Sequence, residues 1–112
     1  MEKLASYRQQ IKTVLERKAS IVPANASIET QLVFDTERDH YQIVHTGWKN
    51  NVDRLYGCVV HVDIKDGKIW IQHDGSELAI ADQLVEMGVP QQDIVLAYHA
   101  PHVRQYTEFA VD

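Results

Sequence analysis

Apolar and polar residues alternate most clearly along residues 56–75. Two apolar runs, 56–64 and 68–73, flank the turn residues Asp66 and Gly67. An Asp-Gly pair between two such runs is typical of a β-hairpin, because glycine tolerates the positive φ that a tight turn needs. Successive side chains on a strand point to opposite faces. We therefore predict a hairpin with one apolar face and one mixed face.

The same alternation predicts two further strands, 28–34 and 40–48, joined by the charged turn 35–39. Before them, residues 2–18 are expected to form an amphipathic helix, because apolar residues recur there every three or four positions. The second half of the chain should contain a helix that Ser76 caps and Gly88 ends, and a short helix over 101–106. The run 94–98 fits a short strand or a buried helical piece equally well.

These elements predict an α+β fold: an antiparallel meander of about four strands, flanked by an N-terminal helix and C-terminal helices. The apolar face should be buried beneath the helices, and its residues are Cys58, Val60, Val62, Ile69 and Ile71. The mixed face is a candidate interface, most simply with a second copy of the chain; in the alternative arrangement the N-terminal helix covers it. The candidate interface residues are Val33, Val44, Val59, His61, Asp63, Trp70 and Gln72.

A chain of 112 residues predicts one domain over 1–112. It contains no apolar run long enough for a membrane span and no signal-peptide core, so we expect a cytoplasmic protein. Cys58 is the single cysteine, which excludes an internal disulfide. Its place on the apolar strand face predicts a buried thiol rather than a nucleophile.

The net charge of −5 argues against a protein whose main function is to bind duplex DNA without a partner. The first 26 residues are nevertheless basic, with five cations against two carboxylates. This basic helix is either a solvated surface or a weak contact for nucleic acid. The candidate residues for such a contact are Lys3, Arg8, Lys12, Arg17 and Lys18.

Six histidines raise the question of a metal site. His61 and Asp63 lie two apart on one strand and share a face, and His73 follows in the next strand. A small metal-dependent enzyme using these three residues is therefore the alternative function. The familiar zinc pattern H-E-x-x-H is absent, as is a glycine-rich phosphate loop. We accordingly predict no catalytic residues, no cofactor and no metal.

Four stretches of the chain resemble the XisI family, the fdxN-element excision controlling factors found mainly in cyanobacteria. They are ETQLVFDTERDHYQIVHTGW, RLYGCVVHVDIKDGKIWIQHDG, LVEMGVPQQDIVLAYHAP and VRQYTEFAVD. The resemblance runs from about Tyr7 to the C-terminus. It implies an accessory or regulatory factor in programmed DNA rearrangement that acts with a recombinase and with a nuclease-related companion, XisH. The family has no established catalytic residues, so the resemblance transfers none.

Overall fold

The computed structural model of the chain describes residues 2–20, 27–75 and 79–112, and it has the predicted α+β fold with one additional strand. The expected breaker Pro23 and the expected cap Ser76 lie outside these residues. The elements are α1 (Glu2–Ala19), β1 (Ser27–Asp35), β2 (His40–Lys49), β3 (Asp53–Lys65), β4 (Lys68–Asp74), α2 (Ile80–Glu86), a 3-10 helix (Gln91–Asp93), β5 (Ile94–Leu96) and α3 (Pro101–Arg104).

The strands form one sheet in the order β1-β2-β3-β4-β5. The first four are antiparallel neighbours, as a meander requires, and β5 adds to β4 in parallel. A parallel neighbour needs a crossover, and α2 lies within that connection. All three residues of β5 are buried, and Val95 also bridges to Ala110 near the C-terminus. Burial on both faces explains why the run 94–98 shows no period that identifies it as a strand.

The hydrophobic core lies between one face of the sheet and the helices α1 and α2. Four of the five predicted apolar-face residues belong to it, namely Val60, Val62, Ile69 and Ile71. Helix α1 covers this face, so the alternative in which it covers the mixed face is wrong. Its contribution consists of Tyr7, Ile11, Val14 and Leu15, and the sheet and α2 add Tyr41, Ile43, Ile80, Leu84, Ile94 and Leu96.

A β-bulge in β3 corrects the predicted faces of two residues. Ile43 of β2 pairs with Val60, but the next residue, Val44, pairs with Cys58, so Val59 is an extra residue in β3. One extra residue reverses the alternation beyond it. Val59 consequently packs against the core, and Cys58 is exposed on the other face. The predictions of a buried Cys58 and of Val59 on the mixed face were therefore wrong.

Cys58 is nonetheless a poor nucleophile. Its Sγ donates a hydrogen bond to the carbonyl oxygen of Val60 at 3.1 Å. Partial burial of the sulfur raises the pKa of the Cys58 thiol, which disfavours the reactive thiolate at neutral pH.

Asp39, in the turn between β1 and β2, ties α1 to the sheet. Nε and Nη2 of Arg8 donate to its two carboxylate oxygens at 2.8 and 3.1 Å, and the Tyr41 hydroxyl donates to Oδ1 at 2.9 Å. The backbone amide of Ile64 donates to the Asp39 carbonyl oxygen at 3.0 Å. The hydrogen bond from Arg8 is the main reason why the pKa of Asp39 lies below its ordinary value.

Asp39→Asn tests this contact, because Asn tolerates the φ of 58° at this position, keeps the side-chain shape, and removes the charge and one of the two accepting oxygens. A carboxylate with a lowered pKa stabilises the fold above its unfolded-state pKa and loses that effect as the pH falls through the folded-state pKa. We expect the variant to be about 1–2 kcal/mol less stable than wild type at pH 7, and the difference to shrink when the pH is lowered to about 2. Urea unfolding at both pH values measures the difference.

Asp66→Asn is the matched control, because Asp66 also has a positive φ (53°) but lies in an exposed turn. Its unfolding free energy should stay near the wild-type value. A difference between Asp39→Asn and wild type that persists unchanged at low pH would contradict the ion pair as its source.

Candidate functional site

The sheet face opposite α1, called here the open face, carries the candidate site. Strand register places Val33 beside Gln42, Gln42 beside His61, and His40 beside Asp63 on this face. Further along the strands, Val44 lies between Gln31 and Cys58, and Trp70 lies beside Asp63. Six of the seven candidate interface residues are therefore on the open face, and Val59 is the exception. They are Val33, Val44, His61, Asp63, Trp70 and Gln72.

The C-terminal segment contacts the open face at Trp70 of β4. The guanidinium of Arg104 lies 5.7 Å from the centroid of the Trp70 ring, and Nζ of Lys65 lies 4.7 Å from it. The indole N–H of Trp70 donates to the Lys65 carbonyl oxygen at 3.1 Å. Val33, in contrast, remains 43% exposed on β1. On the open face, the Trp70 ring is thus in contact with two cations, whereas the apolar part on β1 and β2 is partly exposed.

A polar cluster of His40, His61 and Asp63 occupies the open face near the β1–β2 turn. Nδ1 of His40 lies 2.8 Å from Oδ1 of Asp63, and Nε2 of His61 lies 2.9 Å from the same oxygen. The amide of Gln72 donates to the other carboxylate oxygen at 3.4 Å. The two imidazole rings meet edge to face, with centroids 6.3 Å apart. One carboxylate oxygen therefore joins two histidines.

The strands explain how the sequence builds this cluster. His61 and Asp63 are two apart on β3, so they share a face, and His40 is the direct cross-strand partner of Asp63. Sequence reasoning identified His61 and Asp63 but missed His40. It chose His73 instead, which pairs with His61 in register but is exposed and outside the cluster. One sequence signal could have identified His40. It is the first residue of the predicted strand β2, and in an antiparallel pair the start of β2 lies beside the end of β3, where Asp63 is.

The electrostatics of the cluster favour a charged His40. Its hydrogen bond to Asp63 raises the pKa of His40 above the ordinary value, with a smaller contribution from the charge of Asp63. His40 is exposed, so its ring is open to solvent on this face.

The candidate nucleic-acid contacts on α1 are partly occupied by other groups. Arg8 is paired with Asp39, and Nζ of Lys3 lies 3.0 Å from Oδ2 of Asp93, which also accepts a hydrogen bond from the Tyr7 hydroxyl. Lys12, Arg17 and Lys18 form no ion pair with any residue that the structure describes. Of the five candidate cations, these three remain for an external anion.

In the described part of the chain, no helix has the length and apolar character to cross a membrane.

Comparison with known proteins agrees with this fold. The model of the XisI protein family matches residues 1–111, and the chain therefore belongs to that family. A search of curated proteins finds no match.

Two solved structures from Anabaena variabilis are similar to this chain. One, a XisI-like protein, is 46% identical with a TM-score of 0.90, and the match covers 97% of this chain and 99% of that chain. The other, the fdxN element excision controlling factor XisI, is 33% identical with a TM-score of 0.83, covering 98% and 99% respectively.

The hydrogen bond between His40 and Asp63 predicts a measurable shift. In chelator-treated protein, an NMR titration should give His40 a pKa above that of an unperturbed histidine. Asp63→Asn should lower the pKa of His40 towards the ordinary value, because the charged acceptor is lost. Asp53→Asn, which removes an exposed carboxylate at the far end of β3, is the matched control and should leave the pKa of His40 unchanged. An equal pKa of His40 in wild type and Asp63→Asn would contradict the pairing.

Proposed function

We propose that this protein is a non-catalytic accessory factor in site-specific DNA rearrangement, and that it acts by binding a protein partner through the open face. Membership of the XisI family supports this role, as does the likeness to a structure named as the fdxN element excision controlling factor. The single structural observation that carries the proposal is the open face itself, which lies opposite α1 and on which Val33 of β1 remains 43% exposed.

The composition of the open face is that of an interface. Val33 and Val44 alternate with Gln31 and Gln42 on the neighbouring strands β1 and β2, and Trp70 adds an aromatic ring on β4. Such a surface is too apolar to be an ordinary solvated face, and its polar residues suit the rim of a contact. β1 is also an edge strand, whose unpaired backbone groups favour a covering partner.

The partner that the family resemblance implies is a XisH-like nuclease-related protein, in an assembly with the recombination machinery. A protein partner fits the net charge of −5 better than duplex DNA does, since DNA repels an acidic protein. A homodimer through the same face is the second arrangement, because a face of this kind can complement its own copy. In either case direct DNA contact is weak and falls to Lys12, Arg17 and Lys18 of α1, which have no ion pair among the described residues.

Weak DNA contact predicts a particular salt dependence. The isolated protein should bind duplex DNA with a dissociation constant of about 1 μM or weaker, with little sequence preference, and log K should fall against log salt with a slope no steeper than about −3. Arg17→Glu should weaken this binding severalfold. Lys49→Glu makes the same charge change on an exposed residue at the end of β2 and should have a much smaller effect. Tight, salt-resistant binding to one sequence would contradict an accessory role.

Val44→Glu tests the open face as the partner surface. Val44 lies on β2, near the middle of the uncovered apolar part, so a carboxylate there would be buried without a partner in any complex. We expect capture of the co-expressed XisH-like protein to fall by about tenfold or more. Pull-down and isothermal titration measure this loss.

Val52→Glu is the matched control, since Val52 is 76% exposed in the turn between β2 and β3, away from the site. It should bind the partner as wild type does. Light scattering distinguishes the two arrangements: a homodimer predicts that Val44→Glu has half the wild-type mass. Full partner binding and unchanged mass in Val44→Glu, with circular dichroism showing a folded chain, would exclude the open face.

A further inference from the structure

We propose that His40, His61 and Asp63 bind one divalent transition-metal ion, with Zn²⁺ as the natural occupant. The three ligand atoms, one from each residue, all lie within 4.8 Å of one another. A tetrahedral zinc ion with bonds of about 2.0–2.1 Å keeps its ligand atoms about 3.3–3.4 Å apart. The present separations of 2.8 and 2.9 Å from Asp63 Oδ1 to the two nitrogens are close to that value. Small side-chain rotations are therefore sufficient to admit the ion.

The backbone holds the three ligands in place. All of them belong to two neighbouring strands: His40 begins β2, and His61 and Asp63 share β3. The residue before His40 is Asp39, which Arg8, Tyr41 and the Ile64 amide fix from three directions. Sites on rigid strands hold their ligands more accurately than sites on loops. The backbone of the three ligands is thus in place before an ion binds, and only their side chains have to adjust.

The surroundings supply the outer contact that a metal ligand needs. Gln72 donates to Oδ2 of Asp63, which leaves Oδ1 directed at the two imidazoles. Hydrogen bonds to a ligating carboxylate orient it and are a regular part of metal sites. Binding of the ion replaces the two hydrogen bonds between Asp63 and the histidines with three metal–ligand bonds, from Nδ1 of His40, Nε2 of His61 and Oδ1 of Asp63. Both imidazoles bind in the neutral form, so any proton on a coordinating nitrogen moves to the other nitrogen of its ring or is released to solvent.

The donor set determines the kind of ion. Two imidazole nitrogens and one carboxylate oxygen suit zinc and other transition metals, whereas Mg²⁺ and Ca²⁺ prefer sites made of oxygen atoms alone. Three protein ligands leave at least one coordination position open. The His40 side chain is 52% exposed, so solvent reaches this side of the cluster. This site differs from the sequence-based expectation of no metal, and it includes His40 rather than His73.

Cobalt is the probe of choice, because Co²⁺ replaces Zn²⁺ and has visible absorption bands that intensify when its coordination number is low. Chelator-treated protein should take up one equivalent of Co²⁺ with these bands, and one equivalent of Zn²⁺ should remove them. His40→Gln and Asp63→Asn should each weaken Zn²⁺ binding by about tenfold or more in isothermal titration. Mg²⁺ should not compete.

His102→Gln is the matched control, because it removes an exposed histidine from α3, outside the cluster. It should bind Zn²⁺ within about twofold of wild type, whereas loss of a ligand has the larger effect. Equal affinity of His40→Gln and wild type, or the absence of a stoichiometric Co²⁺ complex, would overturn the proposal.

A second measurement needs no variant. In wild-type protein, Co²⁺ should shift the NMR signals of the His40 and His61 rings far more than those of His102, and the reverse pattern would also overturn the site.

The variant Val44→Glu distinguishes this metal site from the proposed partner surface. It should retain metal binding even where partner capture is lost, so the metal site and the proposed function can fail independently.

Discussion

The packing of α1 against one face of the sheet is the interaction on which the rest of the structure depends. An 18-residue helix can cover one face only, and Ile11, Val14 and Leu15 are completely buried against it. Burial of large aliphatic side chains is the main source of stability in a chain of this size. The pairing of Arg8 with Asp39 fixes the helix at one corner. The opposite face is therefore left without α1, and Val33 on it remains 43% exposed.

The fold class could be predicted because its signals are local. Alternation in β1 to β4, the Asp-Gly turn and the three-to-four spacing of α1 each depend on neighbouring residues, and the elements occur where these patterns predict them. β5 had no such signal, because it is buried on both faces and pairs in parallel with β4 across an intervening helix. Its pairing depends on contacts distant in sequence, which periodicity does not contain.

The candidate site could be predicted only in part, again because some of its contacts join residues that are distant in sequence. His61 and Asp63 share a face by the two-residue period of a strand, which the sequence shows directly. His40 joins them through the register between β2 and β3, and the bulge at Val59 interrupts that register. The same bulge exchanges the faces of Cys58 and Val59. A bulge adds one residue without a distinctive sequence pattern, so every face assignment made by counting across it is reversed.

The proposed partner surface and the proposed metal site share the open face, and this arrangement would have an energetic consequence. Val33, Val44 and Trp70 provide modest apolar area, and Trp70 is already in contact with Lys65 and Arg104. Area alone does not determine affinity, and a few well-placed strong contacts supply most of it. A metal ion held by His40, His61 and Asp63 would present an open coordination position on this same face. A donor atom from the partner could then complete the coordination, which would add affinity and orientation without additional apolar surface. The two proposals are thus compatible, and the polar cluster would be the part of the open face that selects a partner.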